Sequence, residues 1–536
     1  MEVIEVITIV LLALAVLGAR IIGAYPSEKD YYTAGVLEYN FFTSNKSFRE
    51  SVELNLNEYV RFIKLAKSKD VEILVFPEAT LNLYFVDVRE QISEYAVVIP
   101  DPKLEIAPCE YEEDYSFILV ELSKAARDNQ IYVLVNVVEK DFCTWGSDAC
   151  KPPYNVQNDG YSLYNTNIVF DRKGRIISRY RKVNLFIEPS TNDPLDQPLP
   201  IFETDFGVKF GHFICYDILF KYPARTLVQQ ENITNILYPT FWFEGLSYFI
   251  AETIHQGWAY SNNVNFLVSG ANVLRMGTTG AGIYFGRKRI QVIETKSDPI
   301  RKLYTAKVPK NVRADFKFEE PQIWEESSAA DLLKVRVKEN WISDYPVFFP
   351  IEEPQKTICV NDEKICCTVE VKRRNLKVPD GAVSYKYALS VNYTTKLYIE
   401  RRNLGEITCA IVACTGDTMD TCGRRFHTKN VAPGTEFEHI KITARIRSEQ
   451  FEDVMIQPNT ASTGLLPFDV WRYTLTETDV YSDLSYTYKN FTIESTTAVS
   501  DFLVYGLFGR DFTMDYDKME DVARFYEKSH HKIHLV

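Results

Sequence analysis

Three residues in this chain, Glu78, Lys182 and Cys215, combine type and setting in a way that could do chemistry. Cys215 ends the apolar run Val208 to Ile214 and opens Cys215-Tyr216-Asp217-Ile218-Leu219-Phe220. That pattern reads as a buried strand turning sharply into a helix. A cysteine on such a turn is presented for attack, close to backbone N–H groups that favour a thiolate. Taken alone, it fits a buried structural cysteine equally well. Glu78 closes the buried-strand pattern Leu74-Val75-Phe76-Pro77, at a carboxyl end where open α/β sheets place ligands. It could take a thiol proton. Lys182 ends Tyr180-Arg181-Lys182, and a fixed ammonium there would stabilise a thiolate and a developing oxyanion. Singly, Pro77-Glu78 also reads as a turn and helix cap, and Lys182 as a surface charge. Together they supply a base, an oxyanion cation and a nucleophile.

Histidine, the familiar partner of a catalytic thiol, is scarce here. His212 is three residues before Cys215 on the same strand, so its side chain leaves the opposite face. His255 sits mid-helix in Thr253-Ile254-His255-Gln256-Gly257 and reads as a packing or polar-network residue. A Cys-His hydrolase stays open as a third reading.

Elements that alternate between strand and helix must position these groups. Thr33 to Tyr39 reads as a first strand, Ser47 to Lys67 as an amphipathic helix carrying Val52, Leu56, Val60 and Ile63, and Val71 to Phe76 as a strand buried on both faces. A helix from Tyr115 to Asn129 leads to the strand Ile131 to Val138. Tyr164 to Phe170 and Arg175 to Lys182 flank Asp171-Arg172-Lys173-Gly174, a hairpin signal. Asn235 to Tyr238, a helix over Ser247 to Ser261, and Asn265 to Ser269 follow the Cys215 turn. The alternation predicts an α/β domain over residues 25–320. Residues 141–160, rich in Cys, Pro, Asn and Gly, read as a lid or rim loop.

Beyond a polar connection at Glu319-Glu320-Pro321 and Glu325 to Ser328, the period changes to two. Tyr385, Tyr387, Leu389, Val391 and Tyr393 alternate with Lys386, Ala388, Ser390 and Asn392, which predicts a strand with one apolar and one polar face. Ile440, Ile442, Ala444 and Ile446, then Trp471, Tyr473 and Leu475, repeat the pattern. Residues 321–536 are therefore expected to form a second, mostly β domain, with helical periodicity returning only near Met519.

A net charge of −13 argues against nucleic acid and anionic membrane surfaces as partners. Val6 to Ala19 is uncharged and too short for a membrane span, so residues 1–24 read as a signal peptide, with an uncleaved anchor as the alternative. Sequons at Asn45, Asn232, Asn392 and Asn490 fit a secreted glycoprotein. In an oxidising compartment most of the ten cysteines should pair; Cys143 with Cys150 is the simplest proposal. Disulfides are favoured over zinc for the six C-terminal cysteines, because no C-x-x-C occurs.

Phe76-Pro77-Glu78, Tyr180-Arg181-Lys182 and Cys215-Tyr216-Asp217, in that order, closely resemble the Glu-Lys-Cys triad of the nitrilase, or carbon–nitrogen hydrolase, superfamily. Pro239 and Trp242 extend the resemblance. Asp30 to Tyr39, Tyr164-Asn165-Thr166-Asn167, Arg181 to Phe186 and Cys215 to Phe220 look like the vanin/biotinidase branch. The resemblance implies an α-β-β-α sandwich with a vanin-type β-rich C-terminal domain, and amide hydrolysis through a thioester. Glu78 would be the proton acceptor, Lys182 the proton donor and oxyanion stabiliser, Cys215 the nucleophile, and the backbone N–H of Tyr216 an oxyanion donor. Trp242 would line the acyl pocket or pack in the core, and Asp217 would be structural. No metal or organic cofactor is called for. The branch acts on pantetheine, giving pantothenate and cysteamine, or on biocytin and biotin esters. A pantetheine-type amide is the expected substrate, with biocytin or a non-catalytic secreted interaction protein as alternatives. The polar C-terminus Ser529 to Val536 lacks the apolar tail of an anchored vanin, so a soluble secreted form with no membrane anchor is expected.

Overall fold

The computed structural model describes residues 30–44, 47–82, 89–142, 160–194, 197–288, 290–293, 299–313, 333, 335–339, 348–351, 353–398, 402–468, 471–478 and 487–517. The signal segment, Asn45, Cys143, Cys150, the acidic connection and the region beyond Met519 lie outside them.

The first half of the chain builds one mixed sheet from β1 (Tyr31–Tyr39), β2 (Ile73–Val75), β3 (Tyr132–Phe142), β4 (Tyr161–Phe170), β5 (Ile176–Arg181), β6 (Ile201–Glu203), β7 (Lys209–His212), β8 (Asn235–Thr240) and β9 (Asn265–Ala271). They lie in the order β5-β4-β3-β2-β1-β9-β8-β7-β6. β10 (Gly282–Phe285) pairs with β9 and β11 (Ile290–Ile293), and β12 (Arg301–Pro309) pairs with β1.

Because strand side chains alternate in direction, each central strand feeds two layers. Val36, Leu237 and Leu267 meet in an apolar layer between the two halves of the curled sheet. Leu37, Leu74 and Val133 point the other way, under α1 (Phe48–Lys67) and α2 (Phe117–Asn129). Tyr238, Phe266 and Val268 pack under α3 (Ala251–Asn262). The layers run helix, sheet, sheet, helix, as the resemblance implied. Local signals agree: Ser47 caps α1 by accepting the Glu50 N–H at 3.1 Å, and Asp171 closes the β4–β5 turn by accepting N–H groups of Lys173 and Arg175.

The second half is a β sandwich. One sheet orders β13 (Phe348–Pro350), β16 (Lys386–Tyr398), β17 (Arg402–Cys414), β22 (Phe502–Asp517) and β19 (Val454–Ser462). The other orders β14 (Gln355–Val360), β15 (Ile365–Asn375), β18 (Thr435–Ser448), β21 (Thr487–Ser495) and β20 (Trp471–Thr478). Their facing side chains, including Leu389, Ile411, Ile442 and Tyr505, make a common core. The six cysteines there form the disulfides Cys359–Cys366, Cys367–Cys409 and Cys414–Cys422, the second of which ties the two sheets together.

Three sequence expectations are corrected. The outer face of β16 is not solvated: Ala388, Ser390 and Asn392 are buried, because the first sheet packs its second face against the α/β domain. Asn392, only 4% exposed, therefore cannot present a glycan in the folded chain, whereas Asn232 is exposed and Asn490 half-buried. The chain after Cys215 forms one tight helical turn to Leu219 rather than a regular helix. Tyr222, ahead of Pro223, is held in extended backbone, where a helix cannot continue. Finally, α3 begins at Ala251, not Ser247, since Gly245 and Phe249 exchange backbone hydrogen bonds in a tight loop first.

α3 is the joint between the halves. Its inner face covers the α/β sheet, and its outer face meets β19. Ser261 Oγ donates to the Ile456 carbonyl at 3.0 Å. Gly257 is required here: a Cβ would stand 2.4 Å from the Pro458 carbonyl oxygen.

Candidate active site

The turn at Cys215 is strained in the way a presented nucleophile requires. Its φ is 43°, in the left-handed region that costs a side-chain-bearing residue energy. Two polar anchors hold it. Tyr238 Oη donates to the Cys215 carbonyl at 2.8 Å, and Asp217 Oδ2 accepts the Ile214 N–H at 3.0 Å. Asp217 also accepts Tyr180 Oη at 2.9 Å and Asn184 Nδ2 at 2.7 Å, so it ties the turn to the end of β5.

Lys182 follows β5 directly, and Glu78 follows β2 by three residues. Their side chains meet: Lys182 Nζ lies 2.7 Å from Glu78 Oε1 and 2.5 Å from Glu188 Oε1. Asn165 Nδ2 bridges both carboxylates, at 2.9 Å from Glu78 Oε1 and 3.0 Å from Glu188 Oε2. The Phe241 N–H donates to Glu78 Oε2 at 2.9 Å. All three charged residues are buried. Burial opposes the Lys182 charge, yet Glu188 and Glu78, with Cys215, hold its pKa well above the usual lysine value. Burial, then the Glu78 charge, pushes the Cys215 thiol far up against the pull of Lys182. The resting sulfur is therefore a thiol, and a proton acceptor must be at hand for it to attack.

Glu188 was not found from the sequence. It lies six residues past Lys182 in the irregular stretch Phe186-Ile187-Glu188-Pro189, and Ile187 at φ 50° turns the chain back toward the lysine. Burial, then Glu78, raise the Glu188 pKa against the pull of Lys182.

Cys215 opens on a pocket of about 320 Å³, mouth included, lined by Phe186, Tyr216, Leu219, Phe241, Trp242, Phe243 and Phe249. Trp242 is on this wall, with its Nε1 donating to the Phe249 carbonyl at 2.8 Å. Tyr216 follows Cys215 in the helical turn. The lining suits an apolar portion of a substrate next to its reacting carbon.

The histidines stand apart from this chemistry. His212 Nε2 meets Ser178 Oγ at 2.8 Å, on the face away from Cys215. His255 is caged by the rings of Tyr238, Trp242, Phe266 and Tyr284. Burial lowers both pKa values to about 3, so both rings stay neutral. Among the described residues, Cys109 is the other unpaired cysteine, and Arg127 Nη1 reaches its sulfur at 3.2 Å.

Comparison with known proteins follows the same division of the chain. Residues 43–256 match the carbon–nitrogen hydrolase family and residues 337–515 the Vanin C-terminal domain. Vanin-like protein 1 of Drosophila melanogaster is 31% identical over 94% of this chain and 90% of its own length. Homo sapiens pantetheinase is 28% identical over 81% of this chain and 84% of its own. A solved nitrilase-superfamily member from Saccharomyces cerevisiae aligns with a TM-score of 0.39 and 19% identity, covering 53% of this chain and 92% of that one.

Proposed function

The chain belongs to the vanin-like family of carbon–nitrogen hydrolases, and we propose that it is a secreted, pantetheinase-type amidohydrolase that works through a thioester on Cys215. It is a hydrolase of carbon–nitrogen bonds other than peptide bonds. The observation that carries the mechanism is the Lys182 ammonium, shared by Glu78 and Glu188, acting with Glu78 on a buried thiol that forms one wall of an apolar pocket.

Glu78 accepts the Cys215 proton as the sulfur attacks the substrate carbonyl. Thiolate character then appears only as the carbon–sulfur bond forms. The tetrahedral oxyanion is held by the Lys182 ammonium and the Tyr216 N–H, a contribution worth about 3–4 kcal/mol per well-placed donor. Glu78 returns its proton to the leaving amine, the carbon–nitrogen bond breaks, and a thioester remains. Water, deprotonated by Glu78, attacks the thioester and releases the acid and the free thiol. Glu188 keeps Lys182 charged and aimed throughout, so Lys182 is an electrostatic group rather than a proton source.

Secretion is supported by the three disulfides, which persist in oxidising compartments. No helix among the described residues is long and apolar enough to cross a membrane. The pantetheine assignment rests on the family relationship with pantetheinase. Incubating the purified protein with pantetheine and, separately, biocytin tests it. Cysteamine release from pantetheine is expected; lysine release from biocytin alone would move the substrate, and release of neither would remove both.

A further inference from the structure

We propose that Arg402, from the C-terminal domain, is a positioning residue for the Cys215 turn, so that the second domain completes the active site. This rests on Cys215 being the nucleophile.

Arg402 opens β17, and its Nη1 donates to Asn184 Oδ1. Its guanidinium also lies over the Phe220 ring, with Cζ 5.2 Å from the centroid. Asn184 is two residues past Lys182. Its backbone N–H and Nδ2 both donate to Asp217 Oδ1, at 3.1 and 2.7 Å, and Nδ2 also reaches the Tyr222 carbonyl at 2.9 Å. Asp217 in turn holds the Ile214 N–H. A line of hydrogen bonds thus runs from the second domain through Asn184 and Asp217 to the backbone preceding Cys215.

The orientation of the Asn184 amide is the sensitive link. With Oδ1 engaged by a cation, Nδ2 must face the Asp217 carboxylate. Without Arg402, the Asp217 carboxylate and the Tyr222 carbonyl still favour the same orientation, but Oδ1 loses its cation and the line loses its anchor in the second domain. Tyr216 supplies the proposed oxyanion N–H; burial raises its hydroxyl pKa, and the Arg402 and Arg510 charges pull it down. The main interdomain contact, α3 against β19, lies elsewhere, so Arg402 is not needed merely to hold the halves together.

Replacing Arg402 should loosen the turn without removing any group that touches substrate. Misplacement of about 1 Å at a reacting centre costs on the order of 100-fold in rate. The test compares Arg402→Ala, Arg402→Lys, Asn184→Ala and the double variant in the full-length protein, with Ser261→Ala as an interface control and Cys215→Ala as the chemical control. Turnover of the cleaved amide, the rate of iodoacetamide labelling at Cys215 read by peptide mass spectrometry, and melting temperature are measured together. Arg402→Ala should lower kcat roughly 10- to 100-fold with KM within about threefold, and slow labelling in parallel. Arg402→Lys should recover part of both, and the double variant should be no worse than Asn184→Ala. Ser261→Ala should leave kcat unchanged. Wild-type kcat and labelling in Arg402→Ala, or fully multiplicative losses in the double variant, would overturn the proposal. If Arg402→Ala does not fold, an Arg402→Lys protein with normal melting and no kcat change overturns it instead. An active Cys215→Ala would remove the reading of function, a result distinct from either.

Discussion

Two groups of buried carboxylates lie at strand ends in the α/β domain, and their charge is managed in opposite ways. At the first, Glu78 and Glu188 share the Lys182 ammonium, and the Glu78 and Lys182 charges act on the Cys215 thiol on a pocket wall. At the second, Glu38, Glu244 and Glu252 gather where β1, the loop after β8 and the first turn of α3 meet. Glu38 takes the Asn272 amide at 2.9 Å and the Ala281 N–H at 2.7 Å, while Glu244 takes Thr279 Oγ1 at 3.0 Å and the Ala251 N–H at 3.1 Å. Neither Glu38 nor Glu244 forms an ion pair among the described residues. Burial, set against those hydrogen bonds and reinforced by Glu252, pushes Glu38 up to about 8, and burial also drives Glu244 well up. A buried carboxylate can thus be neutralised by a lysine or by a proton. The lysine balances the carboxylates' charge within the reacting group. The retained proton leaves a structural strut, here fixing the loop between Trp242 and α3.

The contrast predicts different failures. Cys215→Ala, Glu78→Gln and Lys182→Met should each lower turnover by about 1,000-fold or more, consistent with losing a nucleophile, its base or an oxyanion charge. Lys182→Met should also cost about 3–5 kcal/mol in urea unfolding, because it strands two buried carboxylates. Cys215→Ala should lose activity while melting normally. Activity surviving in Lys182→Met would erase the distinction between the two groups.

The second group should appear in stability rather than rate. A carboxyl whose folded pKa is raised contributes fully below its unfolded value and loses that contribution as pH rises through the folded one. For Glu38 that window runs from 4.5 to about 8. His212 and His255 act oppositely, since depressed folded values lose stability as pH falls from 6.5 toward 3. Above pH 6.5 Glu38 and Glu244 should both lose stability as pH rises, Glu38 alone removing about 2 kcal/mol by pH 8. Glu38→Gln should make the slope in a melting-temperature profile shallower; an unchanged slope would contradict the protonated-strut reading.

The smallest effect is expected at His255. It is neutral and caged by aromatic rings, so His255→Phe should keep kcat within about tenfold and leave the pH–rate profile unshifted. Loss of activity with normal melting would instead favour a Cys-His pair.

Much of this was legible in the sequence where local pattern and environment agree. The strand ends at Glu78 and Lys182 and the turn at Cys215 carry their own apolar runs, which placed these residues on the sheet, while the roles proposed for them came from the family resemblance. The outer sheet of the sandwich followed its alternation, with Ile440, Ile442, Ala444 and Ile446 all buried. The inner sheet did not, because the small and polar face of β16 is covered by a domain far away in sequence. Period two reports which side chains share a face; it does not report what that face meets. Glu188 was missed because a positive-φ residue aims it, and Arg402 because it lies 218 positions from Asn184. Contacts of that separation leave no local signature.

The central claim is that Cys215 becomes an acyl carrier. Acid quenching of the enzyme in the first turnovers with pantetheine, followed by mass spectrometry of the peptide bearing Cys215, measures this directly. A pantothenoyl group in thioester linkage on Cys215, absent from the Cys215→Ala protein, is the predicted result. Turnover with the acyl group on another residue, or continued turnover by Cys215→Ala, would contradict it.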